Sequence, residues 1–315
     1  MDKSMPTFAL NTIRLILALI LPKVFARKLP LRLLKRIYHD KKFSVKILEK
    51  RFYLTGTKNS FENSIYWNSL TKSIEGFSIE ILIGLLSLEK KPIFWDVGAN
   101  SGIYTLITLT LKENAVVVAF EPSQISLKKF TLNCLTNNYE FTNSHNLKND
   151  SYNLILLDYA LSSSNESLHF NYYSSNGDFT YGGQIPSLDK KSYKTEIVKA
   201  ITGKEVINLN KNLMPNFIKI DIEGYEYEAL VGLDIYLNNI EVILIEILSD
   251  NLAERIETLL TPALFRYFDV DDRNRTIREF SHLQKSAFRN WFIIKRDFES
   301  GLALIESQYL DAQSS

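Results

Sequence analysis

The stretch with the most chemical information places an acid, an amide and two glycines within a few residues of one another. It reads D-V-G-A-N-S-G-I-Y and contains Asp96, Gly98, Asn100, Gly102 and Tyr104. An apolar run precedes it and an apolar segment follows it, which is typical of a buried strand, a tight turn and the start of a helix. Such a turn brings backbone N–H groups and a carboxylate to one point, which suits a nucleotide-like ligand.

A second acid follows the next apolar run along the chain. Glu121 ends the run A-V-V-V-A-F and is followed by Pro122. A carboxylate at the end of this second strand can accept hydrogen bonds from both hydroxyls of a ribose. The two stretches together therefore predict a site for a nucleoside-containing ligand.

The spacing of the glycines favours one class of nucleoside. Dinucleotide sites use G-x-G-x-x-G, whereas this chain has D-x-G-x-N-x-G, with Asn100 in place of the second glycine. The preceding acid would repel a diphosphate and attract a cation. S-adenosylmethionine (SAM) has a sulfonium, an ammonium and a ribose but no phosphate, so carboxylates and amide oxygens suit it.

A third group of charges lies in the segment F-I-K-I-D-I-E-G-Y. Lys219, Asp221 and Glu223 alternate with isoleucines, so a strand would place all three on one face. For methyl transfer to a hydroxyl, an acid here could remove the proton, and we favour Asp221 as the base with Glu223 orienting it. Lys219 could hold an acid ionised or orient the acceptor. In the alternative interpretation, Glu223 and Gly224 form a structural turn, and the carboxylate caps the following helix.

These motifs resemble those of the FkbM family of SAM-dependent methyltransferases. The resemblance rests on D-V-G-A-N-S-G-I-Y, A-F-E-P and I-K-I-D-I-E-G, and it covers roughly residues 75–296. Asn133 and Asn137 fit the asparagine-spaced stretch of the family, and Ala160 begins its short A-L-S segment. One departure is Leu209-Asn210, where family members have Leu-Asp.

The resemblance implies an O-methyltransferase acting on sugars, glycolipids or related metabolites. It also implies the residues that would bind SAM: Asp96, Gly98, Asn100, Gly102, Tyr104, Glu121, Pro122, Asp158 and Ala160. Asp158 would approach the adenine amine or would simply be a solvated strand end. Glu246, an acid inside an apolar strand, would reach the acceptor pocket or pair with Lys219.

Two other functions compete with this interpretation. An NAD(P)-dependent oxidoreductase shares the sheet and the ribose-binding acid, but the chain lacks the third glycine position and a hydride-transfer set. A non-catalytic, membrane-associated module that binds SAM is the other alternative, and the presence of Lys219, Asp221 and Glu223 argues against it. Calorimetry with SAM and NAD would separate the enzyme classes.

The hydrophobic pattern predicts an α/β fold of the class I methyltransferase type, which is Rossmann-like. We expect a mostly parallel seven-stranded sheet with an antiparallel edge hairpin, a helix over residues 77–88 and an N-terminal helical extension. The strands are expected in the apolar run that ends at Asp96 and at 115–120, 153–161, 166–172, 206–209, 217–221, 241–247, 265–270 and 290–295, with helical content between the last two. The organisation would be an extension (1–75), a catalytic domain (76–300) and a C-terminal tail (301–315).

Charge is divided unevenly along the chain. Residues 1–51 contain 13 Lys/Arg and 3 Asp/Glu, although the whole chain has a net charge of only +1. Residues 8–50 would associate with a membrane surface, cover the core with apolar helix faces, or act as a signal or span. The protein is expected in the cytoplasm or peripherally at the membrane, without a nucleic-acid partner.

The remaining candidate residues suggest no further chemistry. Cys134 is the only cysteine and is predicted to be buried, and the four histidines have no metal-ligand spacing, so the sequence predicts no metal site. Residues 172–204 form an insertion long enough for a lid or acceptor platform. Its aromatic residues Tyr172, Tyr173, Phe179 and Tyr181 would stack on sugar rings or lie on a plain surface loop.

Overall fold

The computed structural model describes residues 42–56, 60–143, 147, 152–173, 182–183, 193–286 and 290–310. Most of the basic leader and much of the insertion lie outside these ranges, as do the side chains of residues 171–194. The predicted leader helices and the predicted stacking by the four insertion aromatics therefore remain predictions.

Among the described residues, eight strands form the main sheet rather than the predicted seven. In spatial order they are β13 (Thr276–Phe280), β12 (Phe265–Asp271), β14 (Asn290–Lys295), β11 (Val242–Glu246), β10 (Phe217–Ile220), β3 (Ile93–Val97), β4 (Val116–Phe120) and β5 (Leu154–Leu157). The five strands from β11 to β5 pair in parallel. Strands β14, β12 and β13 each pair antiparallel with their neighbours. The mostly parallel α/β fold and its antiparallel edge are thus confirmed.

The additional strand is β13, within the polar stretch for which helical content was predicted. Asp271 accepts hydrogen bonds from the backbone N–H groups of Arg273 and Asn274 at 3.0 and 2.9 Å. This carboxylate closes a tight turn, and the chain then returns antiparallel to β12. The turn chemistry therefore determines the hairpin in spite of its polar composition.

Helices cover both faces of the sheet. One face carries α1 (Ser60–Asn68), α2 (Gly76–Leu88), α3 (Ile103–Leu111), α4 (Gln124–Thr136) and α8 (Glu299–Gln308). The other carries α5 (Gly203–Leu209), α6 (Glu226–Val231) and α7 (Asp250–Leu259). No helix in the described part of the chain has the length and hydropathy needed to cross a bilayer.

The alternation of side chains in the two central strands positions the site. Phe94 and Phe217 pack into the core beneath α3, whereas Trp95 and Ile218 pack into the core on the opposite face. Because side chains alternate along a strand, Asp96 and Lys219 share the α3 face. Their Cα atoms are direct partners in the parallel register of β3 and β10.

The predicted N-terminal helical extension differs in its described part. Residues 42–55 form an antiparallel hairpin, β1 (Lys42–Ile47) and β2 (Lys50–Thr55). Alternate residues of both strands are buried, among them Val45 and Phe52, in the same core as α2 and α3. This hairpin and the main sheet therefore share one hydrophobic core.

Two other segments also differ from the prediction. Residues 206–209 were expected to form a strand but belong to helix α5, whose first turn is capped by Thr202, which accepts a hydrogen bond from Glu205 N at 3.1 Å. Residues 301–308, expected to be a tail, lie in α8, where Leu302 and Ile305 are buried.

A second, smaller sheet includes part of the insertion. The predicted strand 153–161 is divided into β5 and β6 (Ala160–Leu161), and β6 pairs in parallel with β9 (Tyr193–Ile201). Strand β9 pairs antiparallel with β7 (Ser167–Tyr173), which in turn pairs with β8 (Gly182–Gly183). This sheet begins directly after β5, at the carboxyl edge of the main sheet.

Candidate functional site

The turn after β3 needs both of its glycines for internal packing. Gly98 and Gly102 have φ values of +76° and +80°, which side-chain-bearing residues rarely adopt. A Cβ atom at Gly98 would lie 2.0 Å from the carbonyl oxygen of Asp221, and one at Gly102 would lie 2.3 Å from the ring of Phe130. The turn therefore packs directly against the segment that follows β10.

Glu121 lies at the carboxyl end of β4 and is only 5% exposed. Its Oε2 accepts a hydrogen bond from Asn100 N at 2.7 Å, and its Oε1 accepts one from Ser123 N at 2.9 Å. Burial raises the pKa of Glu121 to about 7, and the two backbone donors partly oppose that shift. The backbone N–H of Asn100 in the turn is thus bonded to a carboxylate of the protein itself.

Asp96 is fully buried and begins the glycine turn from within the sheet. Its Oδ2 accepts hydrogen bonds from Thr105 N at 3.0 Å and Thr105 Oγ1 at 2.7 Å, which secures the first turn of α3. Its Oδ1 has no hydrogen-bond partner among the described residues. Burial raises the pKa of Asp96, whereas Lys219 and Thr105 act in the opposite direction.

Lys219 connects the glycine turn to the predicted catalytic acids. Its Nζ donates to the carbonyl oxygen of Gly98 at 3.2 Å and lies 3.3 Å from Asp221 Oδ2. The same Nζ lies 5.3 Å from the centroid of the Tyr104 ring. Burial alone would lower the pKa of Lys219, but Asp221, Asp96 and nearby carboxylates raise it above its usual value, so the side chain is a cation.

Glu75 also belongs to the site, although its sequence position did not predict this. Its Oε2 accepts a hydrogen bond from the Tyr104 hydroxyl at 2.6 Å. Burial and the charge of Asp221 raise the pKa of Glu75 to about 7. The signal available in the sequence was an acid directly before the apolar helix α2, but nothing in the sequence connected that acid to residues 146 positions later.

Three acids converge where β10 and β11 end. Carboxylate oxygens of Asp221, Glu223 and Glu246 lie within 4.8 Å of one another, and Glu246 is 5% exposed. The structure therefore brings Glu246 to the predicted catalytic acids. Oxygens at this separation are close enough to share one cation, an arrangement that the sequence analysis did not anticipate.

The acid whose carboxylate binds the turn after β10 differs from Glu223, the acid that the sequence suggested. Glu226, not Glu223, accepts the hydrogen bond from Gly224 N, at 3.0 Å to each carboxylate oxygen. Glu223 itself has a φ of +54°. The side chain of Glu223 is half-buried and lies with Asp221 and Glu246.

The remaining predicted ligand contacts lie near the ends of β4, β5 and β6. Asp158 is exposed at the carboxyl end of β5 and lines a cavity of about 410 Å³ together with Gln124 and Lys128. Pro122 follows Glu121, and Ala160 begins β6; both are half-buried.

Comparison with known proteins identifies the family. The sequence profile described as the Methyltransferase FkbM domain matches residues 96–267. The chain belongs to the FkbM methyltransferase family. The family resemblance predicted from the three motifs is thereby confirmed.

A curated relative of this FkbM-family chain is the hexuronic acid methyltransferase AglP of Haloferax volcanii. The two are 27% identical over 180 residues, which is 56% of this chain and 64% of the relative. The chain therefore covers less than two thirds of the length of that relative.

Three solved structures are similar to the FkbM-family chain at low sequence identity. The methyltransferase FkbM from Methylobacillus flagellatus KT is 13% identical, with a TM-score of 0.37 over 65% of this chain and 44% of that one. Precorrin-6y C5,15-methyltransferase from Geobacter metallireducens GS-15 is 12% identical, with a TM-score of 0.36 over 69% and 85%. A SAM-dependent methyltransferase from Agrobacterium tumefaciens is 8% identical, with a TM-score of 0.41 over 81% and 70%.

Proposed function

We propose that this protein is a SAM-dependent O-methyltransferase that methylates a hydroxyl group of a sugar, a glycolipid or a related metabolite. The observation that carries the proposal is the convergence of Glu121, the glycine turn and Asp221 at the ends of the adjacent strands β4, β3 and β10. This convergence supports a nucleoside site beside a proton acceptor, which a methyl transfer to a hydroxyl requires.

The described residues fit SAM better than a dinucleotide. A pyrophosphate needs free backbone N–H groups in the glycine turn, but the N–H of Asn100 already donates to Glu121. The acids Asp96, Glu121 and Asp221 surround the turn, and Lys219 is the cation among them, in contact with Asp221. This charge pattern favours a ligand with a sulfonium and an ammonium group over one with a diphosphate.

Particular residues would hold the two ends of SAM. Glu121 uses one lone pair of each oxygen for a backbone donor, and the remaining lone pairs can accept the ribose hydroxyls. Asp96 Oδ1 is a buried acceptor without a donor among the described residues, which suits the positive charge of the ligand. When bound there, SAM supplies an electrophilic methyl group.

The protein would activate the acceptor through Asp221. Its carboxylate is 37% exposed, so a hydroxyl can reach it, and it would take the proton that this hydroxyl loses. Lys219 Nζ lies 3.3 Å from Asp221 Oδ2, and its hydrogen bond to Gly98 O fixes the lysine to the glycine turn. Glu223 would orient Asp221 or the acceptor.

The proposed acceptor class rests on the family and on the relative that methylates hexuronic acid. Radiolabelled methyl transfer from SAM to glycan extracts, neutral glycosides and uronic-acid glycosides tests it. We expect label in at least one glycan fraction and none when Asp221 is replaced by Asn. Tight SAM binding without transfer to any hydroxyl acceptor would favour the non-catalytic alternative, and NAD binding in calorimetry would contradict the proposal.

A further inference from the structure

The turn after β10 contains a residue in an unfavourable backbone conformation. Its start is fixed because Asp221 N donates to Val97 O at 3.1 Å, continuing the pairing with β3. Glu223 and Gly224 then adopt φ values of +54° and +104°. The left-handed conformation is unfavourable for a residue with a Cβ atom, so Glu223 requires a neighbouring group that stabilises this turn.

Glu226 supplies that stabilisation from the first turn of α6. Its side chain is fully buried, and its Oε1 accepts hydrogen bonds from Ile222 N at 3.2 Å and Gly224 N at 3.0 Å. Oε2 also accepts from Gly224 N at 3.0 Å. One carboxyl group therefore binds the backbone on both sides of Glu223.

We propose that Glu226 is a positioning residue that fixes Asp221 and Glu223 against the glycine turn after β3. This inference rests on the proposed function, because it assigns the position of Asp221 a role in the transfer step. Glu226 acts through the backbone and does not touch the reacting atoms.

The contact between the two turns explains how Glu226 acts at a distance. A Cβ atom at Gly98 would lie 2.0 Å from Asp221 O and 2.9 Å from Ile222 Cγ2, so the two backbones are packed without a gap. Movement of residues 222–224 would shift Asp221 relative to Gly98 and to the ligand bound beside it. Small displacements of this kind reduce reaction rates more than they reduce binding.

The decisive substitution is Glu226→Gln, which preserves the shape of the side chain. A glutamine keeps only one acceptor oxygen, and its NH₂ group in place of Oε2 would face the N–H of Gly224, so the bond from Gly224 N to Oε2 is lost and the turn is held more weakly. We expect kcat for methyl transfer to fall about 10- to 100-fold, with little change in the Kd for SAM. Hydrogen exchange of the peptide containing residues 221–224 should become faster.

Two control variants separate positioning from general destabilisation. Glu228→Gln alters the same helix, but its carboxylate contacts Arg255 at 2.8 Å and not the turn. Ala229→Gly removes a buried methyl group and weakens that helix, which should lower the melting temperature, whereas the hydrogen bonds from Ile222 N and Gly224 N to Glu226 are kept. Both should retain the wild-type kcat and the slow exchange of the turn.

The outcomes are distinguishable. Wild-type kcat in Glu226→Gln, or an equal loss in Ala229→Gly, would overturn the inference, as would unchanged hydrogen exchange in the turn. If wild-type protein transferred no methyl group to any acceptor, the proposed function would fail and the role assigned to Glu226 in the transfer step would fail with it. The exchange measurement would then still report whether Glu226 holds the turn.

Discussion

The carboxylate of Glu121 accepts a hydrogen bond from the backbone N–H of Asn100, at 2.7 Å between Oε2 and N. This bond joins the end of β4 to the glycine turn after β3. It occupies a donor that dinucleotide-binding proteins offer to a phosphate, and it leaves further lone pairs on the carboxylate for a ribose. One acid thereby shapes the turn and disfavours an anionic ligand.

Replacing Glu121 by Gln should weaken the binding of SAM. The substitution removes the charge and one acceptor oxygen, and the loss of a hydrogen bond to a charged group is worth about 1.5–3 kcal/mol, or roughly 10- to 100-fold in Kd. Isothermal titration calorimetry with SAM and S-adenosylhomocysteine measures the change. Glu140→Gln, a substitution of an exposed acid, is the control. Unchanged affinity in Glu121→Gln would remove the ribose assignment.

Asp221→Asn should abolish turnover while SAM still binds. The asparagine keeps the shape of the side chain but cannot take a proton, and general-base catalysis contributes about 10²- to 10⁴-fold to a rate. Single-turnover transfer with saturating SAM measures the loss, and calorimetry measures the binding.

Glu223→Gln is the matched comparison for the catalytic base. We expect a smaller loss of rate, because Glu223 would orient rather than accept the proton. If Asp221→Asn retained full activity while Glu223→Gln lost it, the base would be Glu223.

The strands and the three motifs could be predicted because their signals are local. Each parallel strand of the sheet centre is an apolar run ended by an acid or a glycine, and Asp96, Glu121 and Asp221 follow from this pattern. The strand predicted at residues 206–209 was wrong because the sequence V-I-N-L is equally compatible with a buried strand and a helix. The cap at Thr202 decides for the helix, and it lies outside the apolar run.

The missed site residues depend on contacts distant in sequence. Glu75 and Asp221 are 146 positions apart in the sequence, and only the fold brings the charge of Glu75 near Asp221 and Tyr104. Glu226 was visible as an acid early in a helix, but its two backbone donors could be assigned only once Glu223 was known to be left-handed. Local pattern therefore predicts strand ends better than the groups that hold them.

Asn133 should be important for stability because it joins three elements in a buried position. Its Oδ1 accepts from Thr55 N and Thr55 Oγ1 at 3.0 and 2.7 Å, and its Nδ2 donates to Ser101 O at 2.8 Å. Asn133→Ala leaves buried groups unsatisfied, and we expect a loss of about 2–3 kcal/mol in the free energy of unfolding. Urea denaturation measures it. Leu132→Ala, at a half-exposed neighbouring position, should cost far less; equal losses would contradict this role.

Deleting residues 1–40 should weaken association with anionic vesicles. Residues 1–51 hold 13 Lys/Arg against 3 Asp/Glu, and each basic residue near an anionic surface contributes about 1 kcal/mol. Cosedimentation with phosphatidylserine-containing and neutral vesicles, at low and high salt, measures the difference. Insoluble truncated protein would instead indicate that these residues cover the core. Equal binding by both lengths of chain would discard the membrane role.

The protein without ligand should lose thermal stability as the pH rises from about 5 to 8. Burial raises the pKa of Glu62, Glu75, Glu121 and Glu226 from 4.5 to about 7, and different neighbours modify each shift. In this window the folded state binds more protons than the unfolded state, so each such group lowers the free energy of unfolding by at most about 1.4 kcal/mol per pH unit. Melting temperatures across this range measure the slope. Glu121→Gln should make it shallower, whereas Glu140→Gln should not, and a melting temperature that rises with pH would show that these carboxyls are ionised in the folded protein.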